Sequence, residues 1–255
     1  MNNNNNYWNK RNIDMRLEEN LAAYADRYFF ARLSCLNYTY ERIPWDDAES
    51  RMRQLRGEDV VLHRRNYPDM VIDEKAKVYG LINKVIGYPS FEILCKDKSL
   101  GNFFESWFVS PRNTTTHYAM ISISSDKTDE KTLLSGDIRC MVYGLINVGK
   151  LKAKIEEETG KTLDQIKEDA WKLLEDYQNN QCPDYRDECL VYSRDEMGKA
   201  IYLKISPRNF EMPVNLVVRR DILRKFNLIT EIYIDSKHLK RFEKTDSDDL
   251  VPVID

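Results

Sequence analysis

Apolar residues recur at helical spacing near the start of the chain: Ile13, Leu17, Leu21, Tyr24, Tyr28 and Leu33 line one face of a helix expected from Ile13 to about Leu36. Asn12 is a fair N-cap, and Asp14 suits the first turn. A second, charged helix is expected after Pro44, over Asp46–Gln54, ending at Gly57. The period then changes. Asp59–His63 and Met70–Lys75 are short β-prone runs separated by the turn residues Asn66, Tyr67 and Pro68, which predicts a hairpin. Lys77–Ile86 fits neither period. Further strands are expected at Ser90–Cys95, Ser106–Val109, Tyr118–Ser124 and Ile138–Ile146. Leu151–Glu158 and Leu163–Tyr177 read as helices, the second capped by Thr162 and apolar along Leu163, Ile166, Ala170, Leu173 and Leu174. Strands follow at Cys189–Tyr192, Ala200–Ile205 and Val214–Val218, then a short helix near Asp221–Phe226 and a strand at Leu228–Ile234. Strands and helices interleaved in this way predict a mixed α/β fold.

The chain has 255 residues, with only 9 glycines and 8 prolines, too few for a long flexible linker. A single domain over residues 13–245 is therefore expected, between a flexible asparagine-rich segment (1–12) and an acidic tail (246–255). Val-Tyr-Gly-Leu-Ile-Asn occurs at Val78–Asn83 and again at Val142–Asn147, but the flanks share nothing and no duplicated domain is inferred.

Lys plus Arg number 39 against 42 Asp plus Glu, a net charge of −3, which argues against a protein that coats nucleic acid non-specifically. Local basic groups are still present: Arg51, Arg53 and Arg56; His63-Arg64-Arg65; Arg219, Arg220, Arg224 and Lys225; and Lys237–Arg241. Each is a solvated face or a set of phosphate contacts. The cysteines (Cys35, Cys95, Cys140, Cys182, Cys189) have no zinc spacing, and free thiols in a reducing compartment are expected. No apolar run reaches the length of a membrane span, and the start of the chain lacks a signal-peptide layout, so a cytoplasmic location is expected. His63, His117 and His238 are scattered, and no nucleophile elbow, phosphate loop or dinucleotide fingerprint occurs.

The segment with chemistry is Gln54-Leu55-Arg56-Gly57-Glu58-Asp59-Val60-Val61-Leu62, followed by Met70-Val71-Ile72-Asp73-Glu74-Lys75-Ala76. Asp59 opens one strand and Asp73 closes the next, so an antiparallel hairpin brings them to one end of the sheet. Lys75 lies two residues beyond Asp73 and shares its pleat face, while Glu74 faces the other way and would reach a metal through its backbone carbonyl. Clustered carboxylates call for a cation, and Mg²⁺ (or Mn²⁺ in its place) takes such oxygen ligands. The metal would assist phosphodiester hydrolysis, with Lys75 orienting water or stabilising developing charge.

This layout resembles the PD-(D/E)xK nuclease superfamily, with Asp59 as the first acid and Asp73-Glu74-Lys75 as the second element. The context Gln-x-x-Gly-x-Asp, then apolar-Asp-Glu-Lys-Ala, is similar to type II restriction-endonuclease members, as more weakly are Pro89–Ile93 and Met212–Leu216. The clear resemblance covers Gln54–Ile93, less than a fifth of the chain. Glu58, not proline, precedes Asp59, and the literal Pro68-Asp69 pair lies too close to Asp73 to begin the preceding strand. The resemblance implies a mixed central sheet flanked by helices, a restriction-endonuclease-like core with additional strands. It implies a Mg²⁺-dependent endodeoxyribonuclease cutting double-stranded DNA as a homodimer, with no small-molecule cofactor. It also implies Asp59, Asp73 and Lys75 as catalytic residues, Asp59, Asp73 and Glu74 at the metal, and Glu18 or Glu19, Gln54 and Glu92 as auxiliaries. Alternative readings are a structure-specific or single-strand nuclease of repair or phage replication, and an inactive nucleic-acid-binding protein of the same fold.

Overall fold

A computed structural model describes residues 15–44, 46–54, 56–77, 89–96, 101–125, 127, 132–179, 189–206, 212–237 and 239–241. The first copy of the repeated hexapeptide, the N-terminal segment and the acidic tail lie outside these residues. Helix α1 (15–33) passes through a π-helical turn over Asp26–Phe30 and ends in a 3-10 turn at Ser34–Leu36. The wider turn sets neighbouring residues closer in angle, so Phe29 and Phe30 both face inward. Strand β1 (Tyr38–Arg42) follows, then helix α2 (Ala48–Gln54), whose first amides are held by the Asp47 carboxylate.

Strands β2 (Val60–Arg64) and β3 (Met70–Lys77) form the expected hairpin, with Asn66 in the left-handed conformation at its turn. Next come β4 (Ser90–Lys96), β5 (Phe103–Glu105), β6 (His117–Ser125) and β7 (Ile138–Asn147). Helix α3 (Val148–Thr159) is capped by Asn147 and closed by Gly160, and α4 (Leu163–Gln178) opens with a reciprocal Thr162–Gln165 capping box. Strands β8 (Cys189–Asp195), β9 (Gly198–Ile205) and β10 (Val214–Val218), helix α5 (Arg220–Lys225), and strands β11 (Ile229–Asp235) and β12 (Leu239–Arg241) complete the order.

The strand expected at Ser106–Val109 is a turn instead. The chain pairs with β4 through Phe103–Glu105 and a last bond from the Ser106 amide to the Ile93 carbonyl, then folds back, with the Val109 and Ser110 amides donating to the Ser106 carbonyl. That reversal lets Phe108 enter the core, so its apolar character reports burial from a turn and not a pleat.

The fold is mixed α/β. Among the described residues one sheet has seven strands in the order β1-β2-β3-β6-β7-β11-β12, mixed because β3 and β6 run parallel while its other pairs are antiparallel. The other is a five-stranded antiparallel sheet, β5-β4-β10-β9-β8. Alternation along the large sheet divides two cores. Ile72, Ala119, Ile121 and Tyr143 pack with α1, whereas Tyr118, Met120, Ile146 and Ile229 pack with the second sheet and with α3, α4 and α5. The segments Pro89–Ile93 and Met212–Leu216 lie side by side, because β4 pairs with β10. Among the described residues no helix is long and apolar enough to cross a membrane, and Cys35, Cys95 and Cys140 are not in disulfides.

The loop into β2 explains the Gln54…Gly57…Asp59 spacing. Gln54 donates its side-chain amide to the Ile43 carbonyl at 2.6 Å, and the Ile43 amide donates to the Asp59 carbonyl at 2.9 Å. Gly57 has φ +79°, and a Cβ there would lie 2.1 Å from Thr115 Oγ1, which donates to the Gly57 carbonyl. Gly57→Ala is therefore expected to cost about 1–3 kcal/mol for the left-handed backbone, plus the displacement of Thr115. In urea unfolding, adding Thr115→Ala should recover only the steric part. Full recovery would refute the backbone contribution.

Candidate active site

The β2–β3 register pairs Val60 with Ile72, and one step further sets Asp59 across from Asp73. The Asp59 amide continues the ladder to the Ile72 carbonyl at 3.0 Å, after which the backbone of β2 turns away. Its side chain takes over: Asp59 Oδ2 accepts the Glu74 amide at 2.7 Å. In an extended strand a residue's amide and carbonyl point the same way, so the Glu74 carbonyl faces this same edge.

Asp73 is 1% exposed, and its Oδ1 accepts from Lys75 Nζ at 2.6 Å. Its Oδ2 is buried with no hydrogen-bond partner. Lys75 keeps 43% of its side chain exposed. Burial works against its ammonium, but Asp73 and Asp59 more than offset this and hold its pKa well above the usual lysine range. Burial first, and then the Asp73 carboxylate, push the Asp59 carboxyl well above its ordinary value. The structure thus brings Asp59, Asp73 and Lys75 together at the end of the hairpin.

Glu74 points to the opposite face, as its place in the pleat requires. Its side chain, 10% exposed, accepts from Tyr143 Oη and from the Arg42 guanidinium, each at 2.7 Å. Arg42 in turn donates from Nε to both Asp26 oxygens at 2.9 Å. This chain ties the π turn of α1, β1 and β7 to the strand carrying the acids. Arg42 and Tyr143 carry no local sequence signal, because strand order alone puts them beside Glu74.

Glu92 stands on β4 in the facing sheet. Its Oε2 accepts from Ser106 Oγ and Cys95 Sγ at 3.4 Å, and its charge acts on Tyr118, the register partner of Asp73. Glu19 is exposed on α1, which packs on the other face of the sheet, and Gln54 braces the backbone ahead of Asp59; the structure brings neither side chain to the acids. Glu18 is exposed on the same helix.

Several of the basic residues are engaged internally, while Arg51, Arg56, Arg65, Lys225 and Lys237 are exposed. Arg53 pairs with Glu41 and Glu58, Arg219 is buried between Asp195 and Asp221, and Arg220 and Arg224 both hold the buried Glu231. Arg219 is thus neither a solvated charge nor a phosphate contact. His63 pairs with Asp69 at 2.9 Å, and His117 contacts Thr116 and Asn147.

Among the described residues no group of three or more His, Cys, Asp or Glu side chains is disposed to hold a metal ion. The donor set fits an ion needing fewer side chains: two carboxylates, one with a buried unpaired oxygen, and a carbonyl at the same edge. Mg²⁺ is commonly held by one or two carboxylates and keeps its waters.

Because the folded-state pKa of Asp59 is raised, its ionisation opposes folding. The contribution of its protonated form is complete below the unfolded pKa and fades as pH rises through the folded one. Asp59→Asn, which keeps the acceptor for Glu74, should raise the thermal midpoint at pH 7.5 in chelator, by about 2–4 °C per kcal/mol relieved. The gain should shrink on acidification. Calorimetry finding the variant less stable at pH 7.5 would contradict this assignment.

No protein-family model matches the chain, and comparison with curated proteins and with solved structures finds no match.

Proposed function

We propose that the chain is a divalent-metal-dependent nuclease, in the manner of the PD-(D/E)xK enzymes and their restriction-endonuclease-like core. The observation carrying this reading is the unpaired, buried Asp73 Oδ2 beside a second carboxylate that burial already disfavours as an anion. A buried acceptor without a partner is costly in a folded protein, and a cation is the partner that offsets both charges.

Asp73 Oδ2, Asp59 and the Glu74 carbonyl would hold the ion, which when bound supplies Lewis-acid polarisation of a phosphodiester. The remaining roles belong to the chain. Lys75, kept cationic by Asp73, orients an attacking water and stabilises charge building on the phosphoryl oxygens. The Glu74 amide prevents Asp59 from swinging away. On the far face, Arg42 and Tyr143 keep β3 from shifting, so the acids stay in place without solvent reorganisation. Double-stranded DNA is the proposed substrate, cut by two copies of the chain because each has one site.

The purified protein should nick and linearise plasmid DNA with Mg²⁺ or Mn²⁺ and lose activity in chelator. Asp73→Asn and Lys75→Met should each lower the rate by about 10²–10⁴-fold with the fold intact by circular dichroism. Duplex, single-stranded and forked oligonucleotides, run in parallel, identify the preferred substrate. Activity surviving both substitutions would overturn the reading.

A further inference from the structure

Resting on that reading, we infer that Tyr118 touches the substrate in the same site, as a neutral donor to the anionic oxygens of the phosphodiester. Tyr118 is the register partner of Asp73 on the adjoining parallel strand, so both side chains leave the sheet on one face with Lys75. The side chain is 3% exposed. Among the described residues its hydroxyl takes no hydrogen bond, although Lys75, Asp73 and Glu92 all lie close enough to act on it electrostatically.

Other tyrosines of this protein supply the contrast. Tyr24 donates to the Arg139 carbonyl, Tyr143 to Glu74 and Tyr192 to Asp169. Tyr24 and Tyr143, both buried, satisfy their hydroxyls within the protein. Tyr118 makes no such bond, and its Oη keeps a little access to solvent. A phenol is protonated near neutral pH in any case, so it is an O–H donor there.

The ring is also held still. Trp107 stacks on it at 5.5 Å with 11° between planes, and Phe91 lies 5.1 Å away. A rigid, largely desolvated donor beside an ammonium is suited to oxygens whose charge grows during phosphodiester cleavage, since it needs no reorganisation to meet them.

The test compares wild type, Tyr118→Phe and Phe91→Leu on one duplex substrate with Mg²⁺. Tyr118→Phe keeps the ring and its stack, so the thermal midpoint and KM should hold while kcat falls about 10²-fold. Phe91→Leu disturbs the packing around the ring without removing a polar atom. Wild-type kcat in Tyr118→Phe would overturn the inference and leave the nuclease reading standing. An equal kcat loss in Phe91→Leu would assign the effect to packing and also overturn it. A wild-type protein inert on every nucleic acid and metal would overturn the nuclease reading and Tyr118's role together.

Discussion

Two carboxylates held side by side with little access to water dominate this molecule. Asp59 and Asp73 repel each other, and burial together with that repulsion pushes the Asp59 carboxyl well above its ordinary value. One ammonium, from Lys75, engages one oxygen of Asp73, and one backbone amide, from Glu74, engages one oxygen of Asp59. The arrangement leaves an excess of negative charge that the apolar surroundings do not offset. A fold that only had to be stable would replace such a pair with apolar residues of similar volume. Retaining it marks a place where stability yields to another requirement.

Strand β3, which bears Asp73, is charged on both faces, an unusual burden for the interior of a sheet. Asp73 and Lys75 look toward the second sheet, and Glu74 looks toward α1. On the α1 side both Glu74 oxygens are engaged, by Arg42 and Tyr143, and Arg42 is paired with Asp26. The two faces thus differ at their carboxylates: both Glu74 oxygens accept hydrogen bonds, whereas Asp73 accepts at Oδ1 alone. The π turn of α1 belongs to the Glu74 face, since it contributes Asp26 and also Phe30, over whose ring the Arg42 guanidinium sits at 5.7 Å.

Much of this was legible in the chain because it depends on local periodicity. The hairpin, the shared face of Asp73 and Lys75, and the opposite facing of Glu74 all follow from a two-residue period and a short turn. Thr162 and Gly160 announce their helix ends through capping chemistry. The apolar face of α1 was less legible: Tyr28, on the regular helical spacing, is only partly buried, while Phe29 and Phe30, off it, are fully inside, because the π turn shifts the frame. Arg42, Tyr143 and Tyr118 gave no sign of their places. Each reaches the acids through strand order, which no local pattern encodes. Arg219 and Arg220 looked like surface cations and instead neutralise buried or half-buried carboxylates, because a basic run says nothing about which acids the fold will bring to it.

The parallel junction between β3 and β6 has a consequence for how the protein assembles. The hairpin carrying Asp59, Asp73 and Lys75 closes over a few residues, whereas β6 reaches β3 only after the chain has passed through β4 and β5 in the other sheet. Short loops close early and long crossovers late. The acids are therefore together, and still hydrated, before Tyr118 arrives to wall them in. Nascent chains on the ribosome would carry the motif without its enclosure, and the completed centre would exist only once the whole sheet has formed.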